Sequence, residues 1–419
     1  MPSLSVAVLA GCLLCVGVIP PAWAQLAGQT PPGPTTLNPV PLGPGLPGEE
    51  LPRRAPITLT PTFTISEEYN DNIFLNNSNK KSDFITGFTP GLEVTFARGD
   101  YEVTALYRFT SELYTDHSEL DQILRRQDFF LSGAWRVTPR LTLSLADSFV
   151  SSTDTNVVTE EGVSTGRTRA LSNTITPALS YQLTSLTAMR VTTSFTHQEF
   201  EADELRGSDI YRGDLSFDHR LTPLLTGTLG YTFQYFDIQR ESNSTTHTLR
   251  LGATYRFTPT LTGAVAAGPT LEVRDGDTEV RPFASISLTD RFKWGSLSGQ
   301  YDHTVGTAGG LGGTTENDVL RGLVQVTGLA RGLALEFSPR FTSVRGDQAG
   351  NGQDRIDVQT VTLSLRAIYR FNEWIAAAGG YNFFHPSSDR RGNTSNFATD
   401  VDQNRVVLGV QFGYPIRFD

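Results

Sequence analysis

The ten residues TLRLGATYRF, Thr248 to Phe257, decide how this chain folds. Leu249, Leu251, Ala253, Tyr255 and Phe257 are apolar, and Thr248, Arg250, Gly252, Thr254 and Arg256 stand between them. Strict alternation of this kind belongs to a strand with one apolar and one polar face. The pattern recurs. Val361, Leu363, Leu365, Ala367, Tyr369 and Phe371 share one parity, while Thr360, Thr362, Ser364, Arg366 and Arg370 hold the other. Residues 101–110 and 225–235 read likewise, and no long segment shows a helical period.

Outward from this stretch, the strands are joined in two ways. One joint is short and repeats: WRVTPRLTL at 135–143, HRLTPLLTG at 219–227 and YRFTPTLTG at 255–263. Proline at the first central position suits a tight turn. The alternate joints are polar and longer: 71–83, 115–125, 153–167, 201–208, 239–245, 275–279, 306–316, 346–355 and 387–402. Nine long joints and eight short ones connect 18 strands, and merging or splitting one hairpin would give 16 or 20. Short turns at one end and long loops at the other are the signature of a transmembrane antiparallel outer-membrane β-barrel. Aromatics gather on the apolar face near the short turns, at Trp135, Tyr181, Phe257, Tyr369 and Phe371, where an interfacial girdle is expected. The last strand keeps Val406, Leu408, Val410, Phe412, Tyr414, Ile416 and Phe418 on one parity. It resembles the C-terminal insertion signal of bacterial outer-membrane barrels, with the aromatic penultimate.

The N-terminal part reads differently. Residues 1–24 have the form of a secretory signal, with an apolar run from Ser5 to Ile19 and Ala22-Trp23-Ala24 before the expected cut. The rival is lipidation at Cys12 after Leu9-Ala10-Gly11. Residues 25–56 are crowded with Pro and Gly and read as an extended periplasmic linker, leaving 57–419 for the barrel. Both cysteines, Cys12 and Cys15, precede the cut, so no disulfide or thiolate metal site is expected in the mature chain. A formal charge of −10 with only three lysines argues against a nucleic-acid partner.

Chemistry is sparse. The six histidines, His117, His197, His219, His247, His303 and His385, form no close-spaced ligand pair, and no hydrolase or metalloprotease motif occurs. No catalytic residue, metal or cofactor is expected. The functional signal is arginine. Arg136, Arg220, Arg256 and Arg370 each sit just before a short turn on the polar parity, and Arg108, Arg250, Arg366, Arg405 and Arg417 share it. If the apolar face meets lipid, these guanidiniums point into the lumen, able to contact anionic groups of a passing solute or polymer. The alternative is that they pair with inward acids and brace the wall. The stretch EEYNDNIF, 67–74, is expected at the outer end of the first strand, with Glu67, Glu68 and Asp71 as rim acids. The alternative there is a divalent ion bridging them to sugar phosphates.

ISEEYNDNIFL at 65–75, followed by KKSDFITGFTPGLEVTF at 80–96, resembles the putative beta-barrel porin type 2 family, with the resemblance sharpest over 60–115. It implies an outer-membrane barrel, in some members a conduit for a secreted exopolysaccharide working with a periplasmic polysaccharide-export protein. The expectation is therefore a lipid-embedded channel of a Gram-negative outer membrane exporting an anionic exopolysaccharide. The rivals are a general diffusion porin for small solutes, a lipid-modifying barrel enzyme and a structural envelope barrel.

Overall fold

The computed structural model describes residues 56–153, 168–203, 205–307, 310, 313–347, 355–388 and 400–418. The signal, nearly all of the linker and, save Thr153, the loop at 153–167 lie outside them. Eighteen strands follow one another around the sheet: β1 (Ile57–Asn70), β2 (Asp83–Arg98), β3 (Tyr101–Tyr114), β4 (Gln122–Thr138), β5 (Leu141–Ser152) and β6 (Ala170–Gln182). Next come β7 (Thr187–Phe200), β8 (Ser208–Arg220), β9 (Leu225–Ile238), β10 (Ser244–Arg256), β11 (Leu261–Arg274) and β12 (Asp277–Phe292). The last six are β13 (Gly295–Thr307), β14 (Thr314–Val326), β15 (Leu333–Asp347), β16 (Arg355–Arg370), β17 (Ile375–Ser388) and β18 (Gln403–Gly413). After Tyr414-Pro415, β18 resumes as Ile416–Phe418.

Each strand pairs antiparallel with its neighbour in sequence, and β1 pairs with both β2 and β18. The sheet closes on itself, which removes the free edge strands that would otherwise leave backbone groups unsatisfied in lipid. The short joints fall where the sequence puts them, for example at Gly99-Asp100, Pro139-Arg140 and Lys293-Trp294. One joint differs. Residues 275–279 read as a long polar loop, but the chain turns on Asp275-Gly276 alone. Both have positive φ, 52° and 88°. That is the backbone of a type I′ hairpin, whose twist matches the flanking strands, and Asp-Gly is a preferred pair for it.

Burial is inverted relative to a water-soluble protein. Leu251 is 67% exposed and Leu408 64%, while Gln403 and Thr315 are fully buried. In β1, Ile57, Phe63, Ile65 and Tyr69 are exposed on one face, and Thr60, Thr64, Glu68 and Asn70 are buried on the other. Such a surface is stable only where the outer solvent is hydrocarbon and the interior is polar. Aromatic pairs mark both rims of the apolar band. Tyr101 stacks on Trp135 and Tyr369 meets Phe371 at the short-turn end. Tyr69 meets Phe84, and Phe195, Tyr211 and Tyr235 run together, at the long-loop end.

Candidate functional site: the lumen and its outer mouth

The polar faces of the strands line the lumen, and the sequence-predicted arginines lie on them. Arg108 donates from Nε to Asp128 Oδ2 at 2.8 Å, and Arg126 takes the same carboxylate. Arg250 is paired with Asp214, which also receives Arg212 at 3.3 Å and the Thr232 hydroxyl at 2.7 Å. Arg366 is the register partner of Glu336 across β15 and β16. Arg136, Arg220, Arg256 and Arg370 sit at the short-turn mouth, with Arg220 and Arg256 exposed there. Much of this set therefore braces the wall, the alternative raised for it from sequence. Sequence reading missed Arg321 and Arg340, which face each other in register on the inner side of β14 and β15. The Arg321 Nε atom is buried without a hydrogen-bond partner among the described residues.

The three acids of EEYNDNIF separate. Glu67 is on the lipid-side parity and accepts a hydrogen bond from Thr86 Oγ1 at 2.8 Å. Glu68 is buried on the inner side and takes Arg405 with both oxygens, at 2.7 and 2.8 Å. Asp71 accepts from the Asn404 backbone N–H and side-chain Nδ2, each at 2.7 Å. Glu67 and Glu68 lie on opposite faces of the wall, so they cannot hold one cation between them. Among the described residues no group of three His, Cys, Asp or Glu could hold a metal. The stretch instead forms a clasp where the first and last strands meet. Gln403 Nε2 donates to Asn70 Oδ1 and Asn72 O, and Asn72 Nδ2 donates to Asp402 O at 3.1 Å.

Two segments enter the outer mouth. After β1, Ile73 packs on Ile85 and Tyr114, and Leu75 packs on Phe384 and Val401. Across the mouth, the outer end of the β13–β14 hairpin folds inward. Glu316 and Thr314 have lipid-side parity in β14, yet Glu316 is paired with Arg281 at 3.3 Å and Thr314 with Glu272. Arg281 and Glu272 face the lumen on β12 and β11, so the hairpin's outer face lies on the inner face of the wall. Beyond it, Gly313 N–H donates to Glu241 at 2.6 Å and Gly310 O accepts from the Arg206 N–H at 2.9 Å. These partners come from the loops after β9 and β7, so the hairpin reaches across part of the lumen. Of GTAGGLGG at 306–313, the described residues Gly306, Thr307, Gly310 and Gly313 lie on this crossing, and so glycine-rich a stretch leaves no periodic signal in the sequence.

Four histidines meet aspartates at the long-loop end: His117 with Asp83, His197 with Asp209, His303 with Asp318 and His385 with Asp402. The far ring nitrogen of His303, Nε2, is buried without a hydrogen-bond partner among the described residues, so no serine completes that pair into a hydrolytic triad. At the outer rim, burial pushes the Asp83 carboxyl upward. Hydrogen bonds from the Asp116 N–H, the His117 imidazole and the Phe84 N–H outweigh that and hold it below the usual carboxylate range.

No family model matches this chain, so the resemblance of residues 60–115 to the porin type 2 family has no counterpart in that comparison. No curated protein matches either. Among solved structures, the chain is similar to Acinetobacter baumannii OccAB4, at 12% identity and a TM-score of 0.43, over 87% of this chain and 99% of that one. It is similar to Pseudomonas aeruginosa OpdO, at 14% identity and a TM-score of 0.44, over 86% and 97%. The ferric citrate transporter FecA is a third, at 11% identity and a TM-score of 0.42, over 85% and 64%. Likeness at this level is no guide to substrate. The class rests on the chain's own geometry: a closed, 18-stranded antiparallel barrel with an apolar exterior and a charged, partly obstructed lumen.

Proposed function

We propose that the chain is an outer-membrane channel for passive diffusion of small solutes. Barrels of 16 to 18 strands enclose an aqueous passage. The observation that carries the reading is the inward-folded β13–β14 hairpin, held to the wall by Arg281 with Glu316 and Glu272 with Thr314. A segment lying across the passage narrows it to small molecules and stands in the way of a polymer. The wall arginines add a second argument. Arg108, Arg126, Arg250 and Arg405 are neutralised by Asp128, Asp214 and Glu68, so they do not form a continuous cationic track for an anionic chain. Nothing found favours exopolysaccharide export over diffusion, and no periplasmic partner is needed for this reading.

The test is the current through the purified protein in planar bilayers. Stepwise conductance is expected without any partner protein. The variant Thr314→Ala/Glu316→Gln, which releases the hairpin from Glu272 and Arg281, should show larger steps. Equal steps in both proteins would mean that the hairpin does not set the passage.

A further inference from the structure

Phe130 breaks the rule that places exposed apolar side chains against lipid. Its register partners are Leu106 on β3 and Ser148 on β5, and it shares the parity of Asp128, which faces Arg108. The ring therefore points into the lumen. Among the described residues in strand register, it is the one large apolar side chain of inner parity that stands exposed, at 37%. Phe236 and Phe384, also of inner parity, are buried.

The wall beside Phe130 carries hydroxyls and no charge. The register row through it runs on to Ser148, Thr174 and Thr196. Over β5 and β6 the inner parity, Thr142 to Ser152 and Ala170 to Gln182, holds only Ser, Thr, Ala, Val and Gln. On β4 no charge of that parity lies between Asp128 and Arg136, and on β7 there is Arg190 alone, near the short turn. Other walls differ: β8 and β10 bring Arg212, Asp214 and Arg250 inward, and β14 and β15 bring Arg321 and Arg340. Openness differs as well. Ser148, Thr174 and Thr196 are half-buried, whereas Thr64 on β1 and Thr315 on β14 are buried. β5 lies half-way round the barrel from β14, and its inner face stands open to the passage.

We propose that the inner face of β4–β6, with Phe130 as its platform, is a binding site for neutral sugars in the pyranose form. The face of an aromatic ring is electronegative, and it takes the weakly positive C–H groups on the flat side of a pyranose. Ser132 flanks the ring along β4 and Ser148 across the strands, and neither hydroxyl has a side-chain partner among the described residues. Hydroxyls both donate and accept, as those of a sugar do. An anionic solute finds no free counter-charge here. The one carboxylate beside the ring, Asp128, already receives Arg108 and Arg126. An apolar surface with a few convergent polar groups is the usual make-up of a small-molecule site. Passage of the bound sugar rests on the diffusion reading, and its binding at the wall is read separately.

The experiment uses the full chain in nanodiscs with two neutral probes: methyl glucopyranoside, and mannitol, which has hydroxyls but no ring. Saturation passed from the protein to each probe is read by proton NMR. The pyranoside should take up several-fold more than mannitol. Phe130→Ser should bring it down to the mannitol level, and Phe130→Tyr, which keeps the ring, should preserve it. Phe130 is exposed, so both variants are expected to fold, and the gel shift of the folded barrel reports it. Equal saturation of the two probes in the unaltered protein would overturn the site. So would a pyranoside signal in Phe130→Ser as strong as in the unaltered protein. Conductance of the same protein in planar bilayers reports on the channel. Current without selective saturation refutes the site alone, and selective saturation without current upholds the site and refutes diffusion.

Discussion

Replacing Arg405 with alanine removes one half of the clasp that closes the barrel. Arg405 and Glu68 are 5% and 9% exposed at their side chains, so solvent screens them little. Their two charge-assisted hydrogen bonds, 2.7 and 2.8 Å, form a fork onto one carboxylate. The deletion strands the Glu68 carboxylate in the wall, and stranding one member of a buried pair costs about 3–5 kcal/mol. The loss falls on the β1–β18 seam, whose partners are the most distant in sequence. Urea unfolding of the protein in vesicles, followed by the gel shift between folded and unfolded forms, measures it. The double variant Glu68→Gln/Arg405→Gln should recover much of the loss, because neither charge is then left alone. A cost for Arg405→Ala below about 1 kcal/mol would refute the reasoning, since a buried pair cannot be broken so cheaply. So would a double variant no more stable than Arg405→Gln.

Three other outcomes are expected. Leu365, 51% exposed on the lipid side, should cost about 2–4 kcal/mol when changed to arginine near the bilayer midplane, measured by the same unfolding assay. Arginines at the short-turn mouth should give the channel an anion preference. Reversal potentials in a salt gradient should show it fall when Arg136, Arg220, Arg256 and Arg370 are all changed to glutamine, and cation preference in the unaltered protein would contradict it. Asp83, with its carboxyl held low, stabilises the outer rim above its unfolded value of about 3.9. That contribution fades as pH falls through the lower folded value. The protection of the Asp116 and Thr115 amides against hydrogen exchange, relative to their intrinsic rates, should therefore fall in acid, and in Asp83→Asn this pH dependence should be absent.

Much of the architecture can be read from local pattern because a strand's faces alternate residue by residue. TLRLGATYRF shows its lipid side in five side chains, and the short TPxLT turns show where the chain reverses. What lies between strands is less legible. Asp275-Gly276 reads as the start of a long loop because the polar residues that follow, Asp277 to Glu279, look like loop but extend β12. The partner of an inward arginine depends on register, and Arg108 with Asp128 or Arg405 with Glu68 is visible only once strands are aligned. The clasp joins residues 330 or more apart in sequence, as with Asn72 and Asp402. The inward hairpin is signalled only by glycines, which specify freedom rather than direction.

The central claim is passive diffusion through a narrowed barrel, and liposome swelling with neutral sugars of graded size tests it most directly. The account predicts swelling with monosaccharides that declines through short oligosaccharides and vanishes for polymers. Absence of swelling with every sugar, or passage of a polysaccharide as readily as of a monosaccharide, would contradict it.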